Sequence, residues 1–548
     1  MTTKTETITG SQALAYGALE AGVRFVSGYP GSPSTATVDA LLDLAGDGVE
    51  IEWAINEKSA FDAAFGASLA GLPALVCLKS VGLNVALDSL MVGNLAPGDG
   101  PFVVLAGDDP GGWGSQNEQD SRLLAAAAEV PLLEPLAADG AREVMRRAFE
   151  LSARHRLPVV VRITRALANG PAGPRPSGPD RPARRPATFR RQPERLNVLP
   201  IHVVEFHRRL QAAVAEVQAE FEASDLNERR GHGRRGIIVA GQAYEKLREV
   251  LDAMDGRSPP VLALSTLYPL PQARIAGFVH DLDSLLILEE TAPYVEIGVQ
   301  ALAQRAGLCL PVYGRRSGHM PGSGELFAGE ITDALASLWP DVAWPDPGPG
   351  GRPMPSRQPL CDDCPYLPTL ETLLAVMERQ GGREAFVVTG ETGCMVRAQL
   401  PPWQIMDLKY GMGASIGLAA GLARAGIRQK VVALSGDSAF LHSGLGELID
   451  AAQAGADLLV LLLANEITAL SGGQPHPATD HDTRGRPRRP VDLVALIRAS
   501  GVPGVRVVDP EDGAALEGAL EEGLASEGPA VVVVRRACPQ RKQTVYRV

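Results

Sequence analysis

Short apolar runs alternate with longer stretches of small and charged residues along most of the chain. Between Ile8 and Ala168 the runs VRFVSG, PALVCLKS, PFVVLAG and LPVVVRIT are separated by stretches such as KSAFDAAFGASLAG. The runs have strand length and the stretches have helical spacing, which predicts βαβ units on a parallel sheet over residues 1–170. The segment AGPRPSGPDRPARRPATFRRQPERLNVLP is too rich in Pro and Arg to pack a core, and it leads into the polar helical stretch HVVEFHRRLQAAVAEVQAEFEAS. Residues 171–235 therefore read as a connector and helix. A second set of runs, GIIVAG, PVLALSTLYP and SLLILEE, predicts a smaller α/β domain over 236–345. After the connector WPDPGPGGRPMPSRQP, the runs AFVVTG, KVVALSG, DLLVLLLANE and AVVVVRR predict a third α/β region over 346–548. No repeat at solenoid periods is present.

Charge and cysteine content narrow the possible partners. The 548 residues carry 52 Lys and Arg against 64 Asp and Glu, a net charge of −12, which argues against nucleic acid or an anionic membrane as partner. The N-terminal sequence lacks the order of a secretory signal, and no stretch supplies the roughly 18 apolar residues of a membrane span. The expectation is a soluble, cytoplasmic protein. Six cysteines are too few for a disulfide framework in a chain of this length.

The sharpest chemical signal lies in KVVALSGDSAFLHSGLGELIDAAQAGADLLVLLLANEITALSGGQPHP. One strand ends at Gly436-Asp437-Ser438 and the next at Asn465, 28 positions after Asp437. A carboxylate beside a tight turn, with an amide oxygen on the neighbouring strand, can complete an oxygen-ligated Mg²⁺ site with diphosphate. This is the spacing of the thiamine diphosphate motif, with Ser438 where Gly is usual, and it is equally the pattern of two ordinary strand-end turns. Among the cysteines, Cys361 and Cys364 form CDDCP, Cys394 ends GETGC and Cys538 begins ACPQ. Four thiolates are what a [4Fe–4S] cluster requires. A C-x₂-C pair also occurs in zinc sites, and unligated thiols are a third possibility. Cys77 and Cys309 lie in apolar runs and are expected in cores.

Taken together, GETGCMVRAQLPPW, MDLKYGMGASIGLAAGLARAG, GDSAFLHSG and ITALSGGQPHP resemble the C-terminal part of the indolepyruvate:ferredoxin oxidoreductase alpha subunit. GYPGSPST, INEKSAFDAAFGASLAG, LKSVGLNVALDSLM, DDPGGWGSQNEQDSR, STLYPLP and LEETAPYVE resemble the same family, so the likeness covers nearly the whole chain. It implies a multi-domain α/β protein in which two thiamine diphosphate-binding, doubly wound parallel-sheet domains flank a smaller α/β domain. The implied activity is oxidative decarboxylation of an aryl 2-oxo acid to an acyl-CoA, with coenzyme A as co-substrate. Electrons would leave through a [4Fe–4S] cluster to ferredoxin or another acceptor. Implied partners are a smaller beta subunit and a second copy of this chain, in an α2β2 assembly. That alpha subunit usually continues into a ferredoxin-like segment, whereas this sequence ends at Val548, so a shortened electron chain is expected. A non-oxidative decarboxylase, and a subunit active only within a hetero-oligomer, are the competing readings.

The resemblance also implies residue roles. Glu57 matches the pyrimidine-facing glutamate, whose carboxyl in an apolar pocket would hydrogen-bond the aminopyrimidine and favour its imino tautomer. Asp437, Asn465 and the backbone carbonyl of Ile467 match Mg²⁺ ligands. Gly411, Met412 and Gly413 open a helix of small residues suited to close backbone approach to the cofactor, and equally compatible with a Gly-rich helix packing on a sheet; Gly436 and Ser438 at the turn are further candidate cofactor contacts. Gly28, Pro30, Ser32, Pro33 and Ser34 form a loop that can meet cofactor or a substrate carboxylate. His442 and His476 can orient substrate or shuttle a proton, or serve as structural hydrogen-bonding groups. Lys79 to Asn84 and Gln116-Asn117-Glu118 are candidate substrate-side contacts. Cys361, Cys364, Cys394 and Cys538 resemble the cluster ligands of pyruvate:ferredoxin oxidoreductases.

Overall fold

The structure is a computed structural model and describes residues 6–176, 187–254, 258–345 and 358–543. The chain divides into two compact units, residues 1–52 with 57–355 and residues 53–56 with 356–548. The central part of the first Pro-rich connector and most of the second lie outside the described residues. Among the described residues, no helix is long and apolar enough to cross a membrane.

The first unit contains two large sheets. Its seven-stranded sheet runs in the spatial order Thr266–Tyr268, Leu132–Leu133, Val159–Thr164, Phe102–Asp108, Ala74–Lys79, Phe25–Gly28, Glu50–Trp53. The run from Leu132–Leu133 to Phe25–Gly28 is parallel, and its strands are near-continuous Val, Leu and Ile because helices cover both faces. The five-stranded sheet has Arg235–Ala240 at its centre, parallel to Val261–Leu264 and Ser284–Leu288, with Glu228–Arg230 antiparallel at one edge. The run PVLALSTLYP therefore splits between sheets. Val261–Leu264 stays in the five-stranded sheet, while Thr266–Tyr268 pairs antiparallel with Leu132–Leu133 as an edge of the other.

Two arginines are fully buried, and Arg122 reaches Glu289 at the end of a strand of the five-stranded sheet. Arg162 bonds Asp108 at 2.6 Å and Glu134 at 2.7 Å, and Arg122 bonds Asp120 at 2.6 Å and Glu289 at 2.8 Å. Guanidinium groups tolerate such burial when most of their donors are spent on matched carboxylates; in Arg162 one nitrogen, Nη2, is left without a hydrogen bond. Cys77 is buried as expected, but Cys309 is exposed. The helix Tyr294–Arg305 ends at the positive-φ residue Gly307, and Cys309 falls in the link to the edge strand Val312–Tyr313, beyond the packed face.

The second unit is a six-stranded sheet in the order Leu408–Lys409, Phe386–Gly390, Lys430–Gly436, Leu458–Ala464, Ala530–Arg535, Gly504–Val508. Every pairing in it is parallel. One face packs on the helices Tyr366–Arg379 and Gly513–Ala525. The other packs on Ser415–Arg424 and Leu445–Gln453. The register pairs Gly436 with Leu463, so Asp437 and Asn465 emerge side by side from the same sheet edge.

Candidate functional site

At the carboxyl ends of parallel strands, chain reversals gather polar groups at one crevice, and binding sites form there in open α/β sheets. Asp437 opens a short helical turn directly after Lys430–Gly436 and is 2% exposed. Its Oδ1 accepts from the Ser438 N–H at 2.9 Å, and its Oδ2 from the Glu466 N–H at 2.6 Å. The Glu466 bond clamps the two strand ends together, and Glu466 itself takes φ 66°, the left-handed conformation that reverses the chain after Asn465. Asn465 is buried; its Oδ1 accepts from the Ile467 N–H at 3.2 Å and its Nδ2 donates to the Tyr366 hydroxyl at 2.9 Å. Ser438 and Thr468 share a hydroxyl bond of 3.0 Å across the same edge.

Nε2 of the buried His476 lies 3.2 Å from Asp437 Oδ2, and its Nδ1 accepts from the Ala478 N–H at 3.2 Å. That bond leaves the neutral ring's proton on Nε2, facing the carboxylate. His442 sits in a π-helical turn, Phe440–Gly444, with Nδ1 against Ser443 Oγ at 2.6 Å. Gly413 takes φ 78°, and a Cβ there would fall 2.6 Å from the Ser443 Cβ, so only glycine lets the 411–413 turn approach this helix. Gly411 and Met412 are half-buried beside it.

The four cysteines converge as well. Cys361, Cys364, Cys394 and Cys538 line one cavity together with Tyr366 and Asn465. The Cys364 N–H donates to the Cys361 carbonyl at 3.1 Å, and the Cys538 N–H to the Asn465 carbonyl at 3.0 Å, so one thiol is fastened to the strand end that carries Asn465. Burial, reinforced by the neighbouring thiols, pushes Cys394 up to about 12 and Cys364 up to about 11. Among the described residues, no three His, Cys, Asp or Glu side chains close on a point tightly enough for a single metal ion.

In the first unit, Glu57 starts the helix Glu57–Leu69 and is 6% exposed. It lies against Gly82, where a Cβ would fall 2.5 Å from both its Cγ and its Oε1. In the GYPGSPST loop Gly28, Pro30, Pro33 and Ser34 are buried and Ser32 is exposed. The Ser34 hydroxyl donates to the Gly31 carbonyl at 2.9 Å, an internal turn bond. Of the two segments proposed to contact substrate, Lys79–Asn84 is not a loop, since Lys79 ends the strand Ala74–Lys79 and Ser80 opens the helix Ser80–Gly93, and the loop that carries Gln116–Glu118 is tied to it. Lys79 Nζ donates to the Gly114 carbonyl at 3.0 Å, Asn84 exchanges amide bonds with Gln119 at 2.7 and 2.8 Å, and Glu118 Oε1 accepts from the Gly111 N–H at 2.6 Å. Gln116 and Asn117 are exposed.

Sequence reasoning singled out Cys394 of GETGC and passed over Glu391 in the same motif. Glu391 is fully buried behind the Asp437 turn, and its Oε1 accepts from Ser435 Oγ at 2.6 Å and the Gly436 N–H at 3.1 Å. Burial lifts its carboxyl from 4.5 to about 7, the two hydrogen bonds opposing the rise. A carboxyl lifted on folding stabilises below its unfolded value and loses that contribution as pH rises through the folded one. The wild-type protein should therefore lose ~3 kcal/mol relative to Glu391→Gln between pH 4.5 and 7, read as diverging melting temperatures. Parallel curves would mean that Glu391 is ionised throughout.

Fold and site together define a thiamine diphosphate-type α/β enzyme. The family model described as "Pyruvate flavodoxin/ferredoxin oxidoreductase, thiamine diP-bdg" matches residues 16–191. The model described as "Thiamine pyrophosphate enzyme, C-terminal TPP binding domain" matches residues 391–534. The chain is 32% identical over 545 residues to indolepyruvate oxidoreductase subunit IorA of Archaeoglobus fulgidus, covering 96% of this chain and 86% of that protein. It is 33% identical to the Thermococcus kodakarensis IorA over 558 residues, covering 96% and 85%. A shorter similarity, 25% over 190 residues, links it to 2-oxoglutarate synthase subunit KorB of Archaeoglobus fulgidus, with 33% of this chain and 70% of that one covered. The chain belongs to the IorA family of 2-oxoacid:ferredoxin oxidoreductase alpha subunits, enzymes that use thiamine diphosphate to oxidise 2-oxo acids.

Proposed function

We propose that this chain carries out the oxidative decarboxylation of an aryl 2-oxo acid of the indolepyruvate or phenylpyruvate type. In this reading coenzyme A receives the acyl group, and two electrons leave through a [4Fe–4S] cluster to ferredoxin or a similar acceptor. The observation that carries it is the cavity shared by four thiols and Asn465; a cluster held by those thiols would lie beside a proposed ligand of the cofactor's metal.

The residues fit the groups the family uses. Asp437, Asn465 and the Ile467 carbonyl would hold Mg²⁺, since they supply hard oxygen donors in a buried turn. Cys361, Cys364, Cys394 and Cys538 would hold the cluster; the four line one pocket, and iron would supply the positive charge that the raised Cys364 and Cys394 thiols need before they ionise. Thiamine diphosphate, when bound, supplies a nucleophilic carbon and an electron sink for decarboxylation.

The protein's own part is orientation and proton control. Glu57, whose buried side chain is confined by Gly82, would offer its carboxyl to the aminopyrimidine. His476 lies with Nε2 3.2 Å from Asp437 Oδ2, beside the carboxylate proposed to hold the metal. We propose that the chain works with a smaller beta subunit, in an α2β2 assembly.

Anaerobically purified protein, with its beta subunit, should be brown and carry about four iron atoms per chain. Changing any of Cys361, Cys364, Cys394 or Cys538 to Ser should remove the iron, whereas Cys77→Ser and Cys309→Ser should not. A colourless protein with one zinc would put a non-oxidative decarboxylase ahead of the oxidoreductase.

A further inference from the structure

Tyr366 follows Cys364 by two residues and begins the helix Tyr366–Arg379. It is buried, and its hydroxyl makes two bonds with opposite roles. It accepts from Asn465 Nδ2 at 2.9 Å and donates to the Leu463 carbonyl at 3.3 Å. A phenol has one proton, and here that proton is committed to a strand carbonyl, so the hydroxyl meets Asn465 only as an acceptor. The Asn465 amide is thereby fixed with nitrogen toward Tyr366 and oxygen away from it, the orientation an oxygen ligand needs. The same tyrosine and Asn465 both line the four-cysteine cavity.

We infer that Tyr366 is a positioning residue: it sets the Asn465 amide for a divalent cation and links the cation's ligand to the wall of the cysteine cavity. This rests on the reading of Asn465 as an Mg²⁺ ligand. Partners that orient a metal's own ligands typically change its affinity by ~10–100-fold when removed. Tyr366→Phe keeps the ring and its packing, loses the hydroxyl, and leaves the Asn465 amide held by the Ile467 N–H bond to its Oδ1 alone.

The test is Mn²⁺ binding, followed by electron paramagnetic resonance, to the alpha–beta complex supplied with thiamine diphosphate but no substrate. Tyr366→Phe should weaken Mn²⁺ by ~10–100-fold, with iron content unchanged. Asn465→Ala should weaken it at least as much, and the double variant should be no weaker than Asn465→Ala alone. If Asn465→Ala weakens Mn²⁺ and Tyr366→Phe does not, the inference is overturned while the reading of the metal site stands. Wild-type Mn²⁺ affinity in Asn465→Ala would overturn that reading and the inference with it. Loss of iron in Tyr366→Phe would show that the residue acts by packing under the cavity, which also overturns the inference.

Discussion

Glu57→Gln is expected to leave the fold intact and to lower turnover by ~10²–10⁴-fold, the range associated with losing a positioned acid–base group. The amide matches the carboxyl in size, so the close contact with Gly82 is preserved and the change is chemical rather than steric. A glutamine cannot offer the protonated carboxyl oxygen that a pyrimidine nitrogen would share. Hydrogen–deuterium exchange at the cofactor's reactive carbon, followed by NMR without substrate, isolates this step from binding and from electron transfer. Exchange at the wild-type rate in the variant would remove Glu57 from the catalytic role. The Gly82 contact makes the site sensitive to geometry: with the Glu57 side chain filling the space where a Cβ would otherwise project, its carboxyl has little room to turn away.

Asp437→Ala should abolish measurable binding of thiamine diphosphate with Mg²⁺, a loss of more than ~100-fold, since the substitution removes the one anionic ligand among the proposed three. The same carboxylate accepts the Ser438 and Glu466 N–H groups and so holds two strand ends in register. Asp437→Asn separates these roles. It can keep one accepting oxygen for the backbone but lacks the charge, so melting temperature should recover more than cofactor affinity does. Calorimetric titration of the alpha–beta complex decides; affinity within about threefold of wild type in Asp437→Ala would refute the assignment.

Much of the second unit is legible from the chain because its determinants are local. The runs at 385–390, 430–436, 457–466 and 530–536 coincide with strands buried on both faces, and the Gly-Asp pair and Asn465 fall where those strands end. Other features depend on residues far apart in sequence. Arg122 and Arg162 look like surface arginines, and only folding brings Glu289, 167 positions from Arg122, within 2.8 Å. Glu391 and Tyr366 lie inside motifs noticed for their cysteines, but burial gives them their chemistry, and periodicity does not report burial of a lone polar residue. Cys309 shows the converse. An apolar neighbourhood of four or five residues does not make a core when the segment lies between a helix end and an edge strand.

The strand Thr266–Tyr268 covers an otherwise open border of the seven-stranded sheet, next to the buried pair Leu132–Leu133. The tie is reinforced by the Ser265 hydroxyl on the Glu134 carbonyl at 2.7 Å and by Asn227 Oδ1, which accepts from the backbone at Ser265 and Thr266. Cutting the chain near residue 235 would strip that border and leave two leucines presenting unpaired backbone to other molecules, an invitation to intermolecular strand addition. The sequence boundary before GIIVAG is thus a poor place to divide the gene: the piece upstream borrows its last strand from the piece downstream, and the two are expected to be inherited, expressed and degraded as one.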